Sequence, residues 1–252
     1  MQNFLDCDII YSEGKFLYIT GGGLNIDITN RNLWFLFEIG GEKVYITQSI
    51  FATWVVMAVL IAFAVFVRIK LKSFKQIPSG FQNMVETAVD AIANLTRTNL
   101  GEKFDYLGGY FFAVFAFILA SNYSGLFGLR PPTSDIATTL ALALTVFVLL
   151  HYFGIKMRKG QYFKDYLSPF FLFLPMNIIG EISRPISLSF RLFGNILGGL
   201  IILEIIYGLP VFVRFAMPAA LHGWFDLFSG GLQAFVFTVL SITYISLQTA
   251  DE

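Results

Sequence analysis

The chain has 252 residues, of which 56% are apolar and 13% charged, against a usual charged share of about 25% in soluble domains. Its 17 basic and 17 acidic residues cancel, which excludes the basic surplus of a nucleic-acid binder, and the apolar content excludes a disordered chain. A lone cysteine, Cys7, supplies neither an internal disulfide nor a Cys-rich metal set, so what remains is a multi-span membrane protein.

In chain order, residues 1–47 are expected to form an extracytoplasmic segment of short β-hairpins, turning near Gly21-Gly22-Gly23 and Gly40-Gly41. A triple glycine can also cradle phosphate, but no strand–loop–helix context surrounds this one, and the turn reading is preferred. Residues 50–67 run 18 positions without a charge, enough to cross the hydrocarbon core and too far from Met1 for a signal peptide. Residues 81–98 pattern as an amphipathic helix. Phe81, Met84, Val85, Ala88, Val89, Ile92 and Leu95 share one face, and Gln82, Asn83, Glu86, Asp90, Asn94 and Arg97 the other. It is too polar to span and is expected along the cytoplasmic interface. Residues 107–129 and 136–155 supply two further spans. Asp135 reads equally as a group at the outer mouth and as a helix N-cap. Arg68, Lys70, Lys72 and Lys75 follow the first span, and Lys156, Arg158, Lys159 and Lys164 the third, so both clusters should be cytoplasmic. The loop 130–135, with only Arg130, should be outside.

Residues 170–208 and 211–248 number 39 and 38, and 39 residues of helix extend roughly 58 Å against a core of ~30 Å. Each stretch could be two ordinary spans, but 170–180 is too short to cross and no further loop signal follows. Two long, tilted helices turning at Gly208–Pro210 are favoured, with facing residue numbers adding to about 419. The fold class is therefore an all-α integral membrane protein of one domain, 1–252, with its helical membrane region at 48–248. It has five transmembrane helices, the last two long, tilted and antiparallel, plus one interfacial amphipathic helix.

These two helices carry ionisable residues where lipid disfavours them: Glu181, Arg184, Arg191 and Glu204 on the first, His222 and Asp226 on the second. A mid-membrane Arg costs at least ~2.5–3.5 kcal/mol, so such residues face a partner or water. Glu181 and Arg184, three apart, read equally as a structural ion pair and as functional groups. Arg191 has no carboxylate three or four residues away, so its partner must lie elsewhere. Asn177, Glu181, Arg184, Ser187, Arg191, Asn195 and Gly198 form one polar stripe, with Gly194 and Gly198 a GxxxG permitting close helix approach. His222, Asp226, Ser229 and Gln233 form a second stripe, with Tyr244 in phase.

The run Ser183–Asn195 (SRPISLSFRLFGN) resembles the signature of subunit a of F-type ATP synthases, and three other segments agree. They are Pro78–Glu86 (PSGFQNMVE), Arg130–Leu142 (RPPTSDIATTLAL) and Leu232–Ser246 (LQAFVFTVLSITYIS). The resemblance spans residues 50 to 248 and implies an ion-translocating stator subunit facing a rotating ring of c subunits. It places the family's ring-facing Arg at Arg191, its Asn at Asn195 and its Gln at Gln233. Many members carry Glu where this chain has Leu200 and His where it has Asp226. Glu204 and His222 hold those two chemical types one turn displaced. With the topology above, the outer half-channel would use Glu204, His222 and Asp226, and the inner one Glu181 with Asn177 and Tyr244. The implied partners are the c-ring, the peripheral-stalk b subunits, membrane lipid and transported H⁺ or Na⁺. No nucleic acid, cofactor or metal is expected, and the site is a bacterial plasma membrane. No P-loop is present, so no ATP chemistry is expected in this chain. A secondary transporter would show inverted repeats or paired broken helices, and neither is seen. A scaffold would not need an Arg at mid-span.

Overall fold

A chain crossing lipid must satisfy its backbone hydrogen bonds internally, and a helix does so within one segment. In the computed structural model, five helices among the described residues are long and apolar enough to cross a membrane. The structure describes residues 18–21, 24–27, 32–39, 42–71, 80–159, 161–162, 171–208 and 217–249. The spans are α1 (Gln48–Leu71), α3 (Leu107–Tyr123), α4 (Ile136–Arg158), α5 (Leu174–Tyr207) and α6 (Met217–Thr249). The amphipathic helix α2 (Phe81–Leu100) lies between α1 and α3. Lys72, Lys75, Lys164 and the Leu209–Pro210 turn lie outside the described residues, as do 211–216 of the expected last helix.

Among the described residues two antiparallel hairpins precede the helices; Gly22, Gly23, Gly40 and Gly41 lie outside them. β1 (Tyr18–Gly21) pairs with β2 (Leu24–Asp27), and β3 (Asn32–Ile39) with β4 (Glu42–Thr47). Their registers close Gly21 on Leu24 and Ile39 on Glu42. β4 runs directly into α1.

The core lies among α3, α4 and α6, because these helices present buried residues at steps of three and four. On α4 these are Thr139, Ala143, Val146, Leu150 and Phe153. One apolar cluster joins Phe104, Phe111, Leu150, Phe153 and Ile245, with Ile92 of α2 packed into it. A second joins Ile118, Val146, Leu188, Leu192 and Phe237, bringing α5 onto α4. Helix α1 is the outlier: it buries only Ser49, Ala52 and Val56.

The face α2 buries differs from the expected one. Ile92 and Thr96 are buried, while Met84 and Ala88 are exposed. The reason is that α2 packs on the bundle: Gly108 lets Ala93 approach until an added Cβ would sit 3.1 Å from its Cα. Ser246 of α6 also donates to the Asn99 carbonyl at 2.7 Å. Beyond its end, Arg97 pairs with Asp105 at 2.9 Å, and the hydrogen bond and charge of that carboxylate raise Arg97 above its ordinary value.

α5 is 34 residues and α6 is 33, so each would extend about 50 Å, well beyond a ~30 Å core. α5 contains Pro185 within its length. α6 is α-helical over Met217–His222, π-helical over Gly223–Ser229 and α-helical again over Gly230–Thr249. The two run antiparallel. Asn195 meets Ser229, and Gly199 meets Phe225, so facing numbers add to 424 (195 with 229, 199 with 225). The expected value near 419 is too low because α5 continues to Tyr207 and α6 begins only at Met217, which centres the reversal beyond Gly208–Pro210.

Candidate functional site

Three of the expected site residues come together at one end of the α5–α6 pair. His222 and Asp226 lie one turn apart, and His222 Nδ1 is 2.6 Å from Asp226 Oδ2. His222 Nε2 is 2.9 Å from the Tyr207 hydroxyl at the end of α5. With Nδ1–H donating to the carboxylate, the neutral imidazole leaves Nε2 to accept from the Tyr207 hydroxyl. Asp226 is buried and lies against Gly125, where an added Cβ would come within 3.1 Å of its Oδ2. Glu204 is exposed, and it joins His222 and Asp226 in lining a cavity of about 230 Å³. Gln48, Arg130 and Leu200 complete much of the wall. The cavity thus carries two carboxylates, an imidazole and a guanidinium, a set able to hold water and pass protons between titratable groups.

At the other end of the pair, Arg184 Nη1 lies 3.0 Å from both carboxylate oxygens of Glu181. The Arg184 guanidinium also sits over the Tyr244 ring, 5.7 Å from its centroid. Glu181 and Tyr244 are therefore brought together, through Arg184. Asn177 is one turn from Glu181 on α5. The ion-pair reading of Glu181 and Arg184 is realised.

Arg191 lies between the two ends and is exposed. Among the described residues no hydrogen bond or ion pair reaches its guanidinium. Asn195, one turn on, accepts from Ser229 Oγ at 3.0 Å, tying α5 to α6. Gln233 falls level with Arg191 in the same register, yet no hydrogen bond joins them, and the buried Gln233 Nε2 has no partner among the described residues. Among the described residues nothing lies within 4 Å of a Cβ added at Gly194 or Gly198 of the expected GxxxG, whereas Gly199 takes the Phe225 ring at 3.2 Å. Arg191, Gly194 and Gly198 therefore share an open face of α5. Asp135 is an N-cap: its Oδ1 accepts from Ala137 N at 3.0 Å.

The second stripe is not one face. Asp226 turns to Gly125 of the segment after α3, while Ser229 turns to α5. The π stretch between them advances the helix by a different angle per residue from the α turns that the spacing assumed. Gly125, Arg130 and Gln48 escaped the sequence reading because each reaches the cavity from an element other than α5 and α6, and Tyr207 because it meets His222 from the end of α5. Only the length of the α5–α6 connection would have paired Tyr207 with His222.

Apolar spans with ionisable groups lining a cavity between them define a polytopic membrane protein. Residues 50–246 match the family model described as ATP synthase A chain, and the chain belongs to that family. It is a membrane component of the synthase, without catalytic chemistry of its own.

Proposed function

We propose that this chain is the stator half of a rotary ion motor in the plasma membrane, with the open face of α5 turned toward a ring of c subunits and the peripheral stalk b subunits holding it still. The observation that carries this reading is Arg191: an exposed mid-span cation with no partner among the described residues, beside two glycines with free space. A burial cost of at least ~2.5–3.5 kcal/mol makes sense when a carboxylate arrives from another chain. A ring carboxylate opposite Arg191 is better ionised, because nearby positive charge favours the charged form. Facing lipid, it must be protonated or cation-loaded. The guanidinium stays charged when desolvated, as a lysine need not, so it enforces ion release and blocks direct leakage.

Two access paths flank Arg191. The cavity of Glu204, His222 and Asp226 is the outer one, and the Glu181, Asn177 and Tyr244 end the inner one. The basic residues closing α1 and α4 support that orientation. Because the paths are offset along α5, an ion that enters by one can leave by the other only after the ring turns. Each elementary charge crossing 100 mV supplies ~2.3 kcal/mol to that rotation. Gln233 is level with Arg191 in the register of the two helices, which supports a role for it in holding Arg191 toward the ring.

The test is ATP synthesis in membrane vesicles under an imposed ion gradient, with assembly measured separately. Arg191→Ala should abolish synthesis while the complex still assembles, and Arg191→Lys should fail substantially. Normal synthesis by Arg191→Ala would end this reading.

A further inference from the structure

Asn122 lies at the end of α3 and is fully buried, as is Thr133 of the turn before α4. Thr133 Oγ1 donates to Asn122 Oδ1 at 2.8 Å, and Asn122 Nδ2 donates to the Gly230 carbonyl at 2.8 Å. The Gly230 carbonyl can only accept, so it commits the NH₂ to that side and leaves Oδ1 to take the Thr133 hydroxyl. Gly230 is the residue that ends the π stretch of α6. Its missing side chain makes the approach possible, since a Cβ there would sit 3.0 Å from Asn122 Cβ. Three residues beyond Asn122, Gly125 receives Asp226, the buried acid within the π stretch. The end of α3 therefore grips α6 at two points, a carbonyl and a carboxylate.

A π turn closes on the residue five along and an α turn on the residue four along, and π turns occur as isolated inserts in α-helices. Relaxation of Gly223–Ser229 to α geometry would rotate Asp226 relative to Gly230 and everything after it. We infer that Asn122, braced by Thr133, is a positioning residue for Asp226: it pins Gly230 and so fixes where the π stretch presents the acid to the cavity. This rests on the proposal that the cavity is an ion path. The titratable and charged groups that line the cavity with Asp226 are His222 on its own helix, Glu204 from α5 and Arg130 from the loop after α3, while Tyr207 bonds the far nitrogen of His222.

The test uses vesicles carrying the whole synthase and follows gradient-driven synthesis against the pH on the cavity side. Asn122→Leu keeps the volume and removes both bonds. Assembled, it should lose about tenfold or more in rate, as a displaced reacting group does. Its pH profile should also move in the same direction as that of Asp226→Asn. Thr133→Val should move the profile the same way, by less. An assembled Asn122→Leu with a normal profile overturns the inference, even if its rate falls, because that is a merely structural loss. Should Asn122→Leu not assemble, a normal profile in Thr133→Val overturns it instead. If Asp226→Asn itself leaves the profile unmoved, the ion-path reading of the cavity fails, whatever Asn122 does.

Discussion

Gly125→Ala places a methyl group on the Asp226 carboxylate. The new Cβ would lie 3.1 Å from Oδ2, 3.3 Å from Cγ and 3.5 Å from Oδ1. Ordinary contact requires a retreat of a few tenths of an ångström. The oxygen that must move is the one held by His222 at 2.6 Å, so the displacement acts on that bond. A hydrogen bond to a charged group contributes about 1.5–3 kcal/mol, and overpacking costs about 1–3 kcal/mol. Against this, Gly125 has no positive φ, so alanine fits its backbone and gains about 0.4–1 kcal/mol through the unfolded chain. The expected result is a small net loss of thermal stability in the purified complex. Gradient-driven synthesis should fall by about tenfold, which corresponds to ~1.4 kcal/mol in the barrier. Gly109→Ala, with nothing within 4 Å of its Cβ, is the control and should leave synthesis unchanged. Wild-type synthesis by Gly125→Ala would refute the claim that Asp226 needs this seat.

Gly154→Ala should destabilise the complex by about 1–3 kcal/mol in thermal unfolding, because its Cβ would fall 2.6 Å from Tyr162 Cε2 and 2.9 Å from Gln248 Cγ. Asp135→Ala should cost about 0.5–2 kcal/mol through the lost cap of α4, with transport per assembled complex unchanged; a transport loss beyond assembly would make Asp135 an ion-path group instead. Arg184→Ala should reduce synthesis less than Arg191→Ala, since Arg184 is already paired with Glu181; equal loss in assembled complexes would remove that distinction.

The spans were legible because hydrophobic length is a property of contiguous residues. The run 50–67 grew only into Gln48–Leu71, and 136–155 into Ile136–Arg158. The pairing of strands on either side of the expected turns was legible for the same local reason. The buried face of α2 was only half legible: Ile92 lies on the expected side, but what covers Thr96 is set by α3 and α6. The cavity was legible as chemistry, since Glu204, His222 and Asp226 were all named from their types and places. It was not legible as geometry. The meeting of Tyr207 with His222 depends on the connection between two helices, and the turning of Asp226 to Gly125 depends on a π stretch that no spacing announces. Asn122 and Thr133 drew no reading from the sequence, because the Gly230 carbonyl that Asn122 reaches lies on another helix.

Pro185 has no N–H to offer the Glu181 carbonyl, so α5 lacks one rung of its own ladder at that turn. The side chain of Glu181 grips Arg184 across the same turn, and Arg184 rests on the Tyr244 ring of α6. As a piece of mechanics, α5 is two stiff rods spliced at the proline, with the splice strapped from outside and propped against its neighbour. In the proposed motor, a ring pressing sideways at Arg191 would load that joint. The strap and prop pass the force into α6 and the packed core instead of letting the rod fold, so the shaft keeps its line under load.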